Sequence, residues 1–173
     1  MVNKEQDNLN AEELFFCGEF EHVLDAQSRV AIPSEWRRHA GETRLILFPG
    51  RDKDLLLLPF EAFRDFLTKA RKVAFASRNM QEALARIGAK VRDCHCDKQG
   101  RIKLEREMLD KIGVTDQLKL IGAFTHIKLC APQQWQAGPE QDDVYLDEFQ
   151  KLLGDDAGDM MRMLLENLGS KDK

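Results

Sequence analysis

DAQSRVAI (residues 25–32) and DKQGRIKL (residues 97–104) are one pattern written twice, with Asp, Gln, Arg and two apolar positions recurring at a fixed offset of 72. The same offset carries Glu35 onto Glu107 and Gly41 onto Gly113, and with one residue of slippage Leu45 meets Leu118 and Pro59 meets Pro132. A match over eight positions can be chance. One that continues in order for about 45 residues per copy is an internal duplication, and each copy should fold as the same supersecondary unit.

Working outward from the octapeptide, each copy predicts the same elements. An approach strand (15–24 and 89–96) leads into a polar Asp-x-Gln-(Ser/Gly) turn, and a short strand with alternating apolar residues follows: Val30 and Ile32, then Ile102 and Leu104. A short helix is expected next. Pro33 suits its first turn and Gly41 its end, while in the second copy it runs from Glu105 to Ile112 and stops at Gly113. Strands at 44–48 and 54–58, and at 117–122 and 126–131, form hairpins with turns at Gly50 to Lys53 and Ala123 to Thr125. Helices are expected at 60–70 and 132–136, so the fold class is α+β, mainly β.

Between the copies, Ser77 to Gly88 lacks proline and spaces Met80, Leu84 and Ile87 as one helical face, a connector helix. After Gly138 the chain turns acidic, although Val144, Leu146, Phe149, Leu152 and Leu153, and later Met160, Met161, Met163, Leu164 and Leu165, could supply apolar helical faces. Those faces could pack on the chain's own body or on a neighbouring subunit. The expected organisation is a disordered extension (1–13), a first unit (14–70), a connector helix (71–88), a second unit (89–138) and an acidic helical tail (139–173).

At 173 residues and 43% hydrophobic content the chain can build a real core. Its apolar runs are far shorter than the roughly 18 residues a membrane span needs, and Cys17, Cys94, Cys96 and Cys130 show no paired C-x-x-C spacing. A cytoplasmic protein, without membrane or disulfide framework, is therefore expected. The net charge of −4 hides compartments of opposite sign: −3 over 1–13, +5 over 14–138 and −6 over 139–173. A basic body between acidic ends still permits a polyanionic partner, because local field steers association.

The repeated turn carries the chemistry. Asp25 and Asp97 can accept hydrogen bonds from backbone amides just ahead of them and fix a tight turn, in which Gly100 takes positive φ at little cost. Arg29 and Arg101 then begin strands whose next residues enter the core, which places each guanidinium on the solvent side. An arginine fork suits phosphate or the O6/N7 edge of guanine, and two units packed about a pseudo-dyad would display two such forks. The plainer reading of either arginine is a surface ion pair with its turn aspartate. Duplication favours the display, since ion pairing gives no reason to repeat a whole unit.

GEFEHVLDAQSRVAIPSEWRRHAG (18–41) and GAKVRDCHCDKQGRIKLEREMLDKIGV (88–114), each followed by a two-strand segment, resemble the two halves of the MraZ family, bacterial regulators of the division and cell-wall gene cluster built from tandem SpoVT-AbrB domains. The resemblance covers about residues 15 to 136. It implies two AbrB-like swapped-hairpin β units forming a pseudo-twofold barrel, assembly into a ring of identical subunits, and binding to direct repeats in double-stranded promoter DNA, with nucleoid association. The family's motif arginines fall on Arg29 and Arg101. Beside them, from the residues themselves, Gln27, Gln99, Lys98 and Lys103 are expected as lateral DNA contacts and Asp25, Ser28, Asp97 and Gly100 as the residues that shape the turns.

Two departures bear on the site. Ser28 stands at the usual glycine position, so that turn should be strained or of another type; Glu105 stands where the first copy has Pro33, harmless near a helix N-terminus. Lys98, Lys103 and Arg106 make the second copy the more electropositive, while Arg37, Arg38 and His39 form a basic cluster in the first that reads equally as a solvated face. Cys94-His95-Cys96 invites a metal reading, since strand alternation puts both thiols on one side, but without closely spaced ligand pairs buried structural cysteines are expected. No nucleophile elbow, phosphate-binding glycine loop or H-E-x-x-H is present, so neither an enzyme, a cofactor nor a small-molecule substrate is expected. The alternative function is a structural homo-oligomer, or a regulator of another operon, whose arginines serve subunit contacts.

Overall fold

A computed structural model describes residues 13–135. Eight strands and three helices follow one another: β1 (Glu19–Val23), β2 (Arg29–Ala31), a 3-10 turn (Ser34–Trp36), β3 (Arg44–Pro49), β4 (Leu55–Pro59), α1 (Phe60–Val73), α2 (Arg78–Gly88), β5 (Arg92–His95), β6 (Arg101–Lys103), α3 (Arg106–Lys111), β7 (Gln117–Gly122), β8 (Ile127–Cys130) and a final 3-10 turn (Pro132–Gln134). The described chain is thus mainly β with a few helices. The expected extension (all but Glu13) and acidic tail lie outside the described residues, so the helical faces read in 139–173 receive no structural account.

Six strands form one antiparallel sheet in the order β1-β7-β8-β4-β3-β5, and β2 and β6 form a second. The pairing crosses between the copies. β1 of the first pairs with β7 of the second, and β5 of the second pairs with β3 of the first. In the small sheet Val30 lies opposite Ile102, and where the two hairpins meet Leu56 lies opposite Lys128, each pair being 72 residues apart in the chain. Strand alternation makes the core. Val30 and Ile102 of the small sheet, with Ile32 and Leu104 just past its strands, share one buried cluster with Leu45, Leu47, Leu55, Leu57, Leu118, Leu120, Ile127 and Leu129 of the large one. Burying one such side chain contributes about 1.5–3 kcal/mol, so this layer holds the turns on a stiff base.

The short elements depart from expectation. In the first copy the anticipated helix is a single 3-10 turn. Trp36 ends it as a fully buried plug, edge-on to Phe16 and Phe20, its indole N–H donating to the Cys17 carbonyl at 3.1 Å. Continuation would need the Arg38 amide for a helical bond, but buried Thr43 takes it through its hydroxyl at 2.9 Å. Position 108, the counterpart of Trp36, is a methionine, and there α3 does form. The last segment is likewise a 3-10 turn rather than a helix over 132–136.

The connector boundary also shifts: residues 71–73 complete α1, and α2 starts after Ser77, whose hydroxyl accepts the Met80 amide at 3.1 Å. Neither helix has a fully buried residue. Phe66, Val73, Phe75, Met80 and Ile87 are exposed. No helix among the described residues is long and apolar enough to cross a membrane.

Candidate nucleic-acid interface: the paired aspartate–arginine turns

The two turns are built alike, bond for bond. Asp25 Oδ1 accepts the amides of Gln27 and Arg29, each at 2.9 Å, and Asp97 Oδ1 accepts those of Gln99 and Arg101 at the same distance. The Ser28 amide closes the first turn on the Asp25 carbonyl at 3.0 Å; the Gly100 amide closes the second on Asp97 at 2.9 Å. Each turn then reaches across to the other copy: Ser28 O accepts the Leu104 amide at 2.9 Å, and Gly100 O accepts the Ile32 amide at 2.8 Å. Because β2 and β6 are adjacent and antiparallel, this locking brings both turns to one face.

Ser28 sits at φ +57 and Gly100 at φ +76. Both are left-handed, so of the two options for Ser28 the turn is of the same type and strained.

The guanidinium groups are not free in solvent as alternation suggested. Arg29 Nε donates to Asp25 Oδ2 at 2.7 Å and Arg101 Nε to Asp97 Oδ2 at 3.0 Å. Each arginine also approaches the other copy's aspartate, Arg101 Nη1 at 3.4 Å from Asp25 Oδ2 and Arg29 Nη1 at 3.9 Å from Asp97 Oδ2. The physical reason is the turn itself, which points Oδ2 at the strand exit where the arginine begins. With 29% and 26% of their side chains exposed, Arg29 and Arg101 are half-buried members of a four-residue cluster. Backbone N–H donation, from Arg29 to Asp25 and from Arg101 to Asp97, holds both carboxyls below the ordinary 3.8.

The other sequence candidates divide. Gln27, Gln99 and Lys98 are exposed at the turn tips, and Lys103 is exposed opposite Arg29 in the strand register. Arg106, counted toward the field of the second copy, is engaged by Asp110 at 2.8 Å and by the carbonyls of Val114 and Thr115. Arg38 is paired with Glu61 at 2.6 Å. Arg37, read only as part of a basic cluster, lies on the Gly100 turn instead. Its one sequence signal was glycine at 100 against serine at 28.

Cys94 faces the core from β5, and burial pushes its thiol up to about 12; half-buried Cys96 is pushed up to about 11 for the same reason. Thiols this reluctant to ionise are poor ligands at neutral pH.

The described residues form a small mainly-β fold that draws two arginine-bearing turns together on one face. Comparison with known proteins makes this specific. Residues 15–85 match the family model described as "MraZ protein, putative antitoxin-like". The chain is 30% identical over 121 residues to the transcriptional regulator MraZ of Herpetosiphon aurantiacus, covering 70% of this chain and 84% of that protein. It is 29% identical over 122 residues to the namesake from Acetivibrio thermocellus (70% and 85% covered) and 27% over 132 residues to that from Caldicellulosiruptor bescii (76% and 92%). The chain belongs to the MraZ family of transcriptional regulators.

Proposed function

We propose that the protein is a sequence-specific DNA-binding regulator that engages direct repeats in promoter DNA of the division and cell-wall gene cluster, with Arg29 and Arg101 as paired reading heads. Gln27, Gln99, Lys98 and Lys103 are the lateral contacts. One observation carries this reading: two turns 72 residues apart in sequence meet on one face, their arginines bridged through shared aspartates at 3.4 and 3.9 Å. Fixed forks of this kind suit guanine edges and phosphates. The exchanged strand pairing and the registers at Val30–Ile102 and Leu56–Lys128 support two swapped-hairpin units about a pseudo-dyad. One chain offers a small footprint, so a ring-like homo-oligomer that links several footprints would supply the affinity, in the cytoplasm on the nucleoid.

The test is titration of the DNA upstream of the protein's own gene with wild type, Arg29→Ala, Arg101→Ala and the double variant. Each single change should weaken binding by about 1–3 kcal/mol with the fold intact. Full affinity in the double variant would refute the assignment. Loss of oligomer mass with unchanged DNA affinity would favour the reading in which the arginines join subunits.

A further inference from the structure

Arg37 leaves the 3-10 turn with extended backbone (φ −107, ψ 153) and lays its guanidinium on Gly100. A β-carbon built at residue 100 would stand 2.4 Å from Arg37 Cζ and Nη1 and 2.6 Å from Nε. Gly100 is buried beneath it, while Arg37 itself is half-exposed. Nε is sealed from solvent and has no hydrogen-bond partner. Among the described residues no carboxylate forms an ion pair with Arg37, whereas Arg29, Arg38 and Arg101 each have one. A partly desolvated cation without a counter-charge is costly, and an anion arriving at its open Nη end would relieve that cost.

The position has no counterpart in the other copy. Seventy-two residues on from Arg37 stands Leu109, which is buried in the core. Where the second turn carries Lys98 and Lys103, the first carries Ala26 and Ala31. The two turns share a backbone but not a field.

We infer that Arg37 is a third DNA-contacting arginine, seated by Gly100, which holds a backbone phosphate beside the second turn and makes the two turns of one chain grip DNA unequally. This rests on the DNA-binding reading of the turns. A phosphate fits better than a base edge because no carboxylate fixes the angle of the Arg37 fork and Nε is closed off, so what is presented is charge rather than a defined pattern of donors. Such asymmetry also gives the chain a direction on DNA, which head-to-tail repeats require and a symmetric pair of turns would lack.

The experiment measures binding to the upstream duplex and to a scrambled duplex of equal length, by fluorescence anisotropy, for wild type, Arg37→Ala, Arg37→Gln, Arg37→Lys and the double variant Arg29→Ala/Arg101→Ala. Loss of one phosphate contact lowers the slope of log affinity against log salt by about 0.9, so the defect of Arg37→Ala should shrink about 3.5-fold between about 50 and 200 mM salt. The defect should be similar on both duplexes. Arg37→Lys should keep the wild-type slope. Arg37→Gln, which retains most of the packing, should lower the slope by the same amount and carries the test where alanine disturbs folding. A wild-type slope in both neutral variants would overturn the role of Arg37. Full operator affinity in the double variant would instead overturn the reading of the turns on which it rests.

Discussion

Exchanging the residues at the two left-handed positions tests the turns and the seat of Arg37 together. Ser28 holds φ +57, where a β-carbon costs about 1–2 kcal/mol. Glycine would remove that strain and return about 0.5–1 kcal/mol of it as greater freedom in the unfolded chain. Ser28→Gly should therefore stabilise by about 0.5–1 kcal/mol, a rise of about 1–4 °C in melting temperature at this chain length. Gly100→Ser reverses the same balance and adds a collision, since the new β-carbon would fall 2.4 Å from Arg37 Cζ. Pushing that arginine off its rotamer adds about 0.5–1.5 kcal/mol, so the total loss should be about 1–2.5 kcal/mol. The assay is thermal and urea unfolding followed by circular dichroism at one fixed protein concentration, because oligomers melt at concentration-dependent temperatures. Mirror-image effects of the two changes would refute the contact between Arg37 and Gly100. A destabilised Ser28→Gly would refute strain at Ser28.

Two further outcomes follow from the titratable groups. Asp25 and Asp97 ionise below the ordinary 3.8 in the folded protein, so their charged forms favour the fold: the contribution is whole above 3.8 and lost as pH falls through the lowered values. Urea midpoints of Asp25→Asn/Asp97→Asn should accordingly depend less on pH in the acid range than those of wild type, and identical acid profiles would show that the turns do not depend on these charges. With Cys17 exposed, Cys96 half-buried, and Cys94 and Cys130 buried with their thiols raised by that burial, a disulfide reagent at pH 8 should consume Cys17 first, Cys96 more slowly, and Cys94 and Cys130 only on unfolding; fast reaction of Cys94 or Cys130 would contradict the packing of β5 and β8.

Much of this was legible because duplication reads the chain twice. Alternation at Val30, Ile32, Ile102 and Leu104 placed the small sheet, and Ser77 marked the start of α2 within a residue. Strand partners were another matter. Nothing in the residues themselves says that β1 pairs with β7 rather than β3, because both hairpins present the same apolar pattern; the family resemblance, not the periodicity, implied the exchange. The missing first helix was hidden for a different reason: Pro33 and Gly41 are sound local signals, but Trp36 and Thr43 act through tertiary contacts that local patterning cannot weigh. The role of Arg37 is not legible in the sequence, because a guanidinium resting on a backbone 63 residues away leaves only a glycine as its trace.

An arginine already bonded to an aspartate looks like a poor reading head, yet the division of bonds argues otherwise. Each carboxylate gives Oδ1 to two backbone amides and Oδ2 to the Nε of its own arginine, so the aspartate is held by the turn and the arginine by the aspartate. A free arginine side chain carries about 2 kcal/mol of rotamer entropy, much of which must be given up on binding. On the DNA-binding reading, the aspartates restrict that freedom in advance, the logic of preorganised recognition. The contacts that an incoming phosphate or base would displace most readily are the cross-copy ones, at 3.4 and 3.9 Å, which are longer than the 2.7 and 3.0 Å Nε bonds that orient each fork. On the DNA-binding reading, the same two carboxylates therefore keep the arginines aimed while the turns are empty and still hold them by Nε when the outer donors are taken.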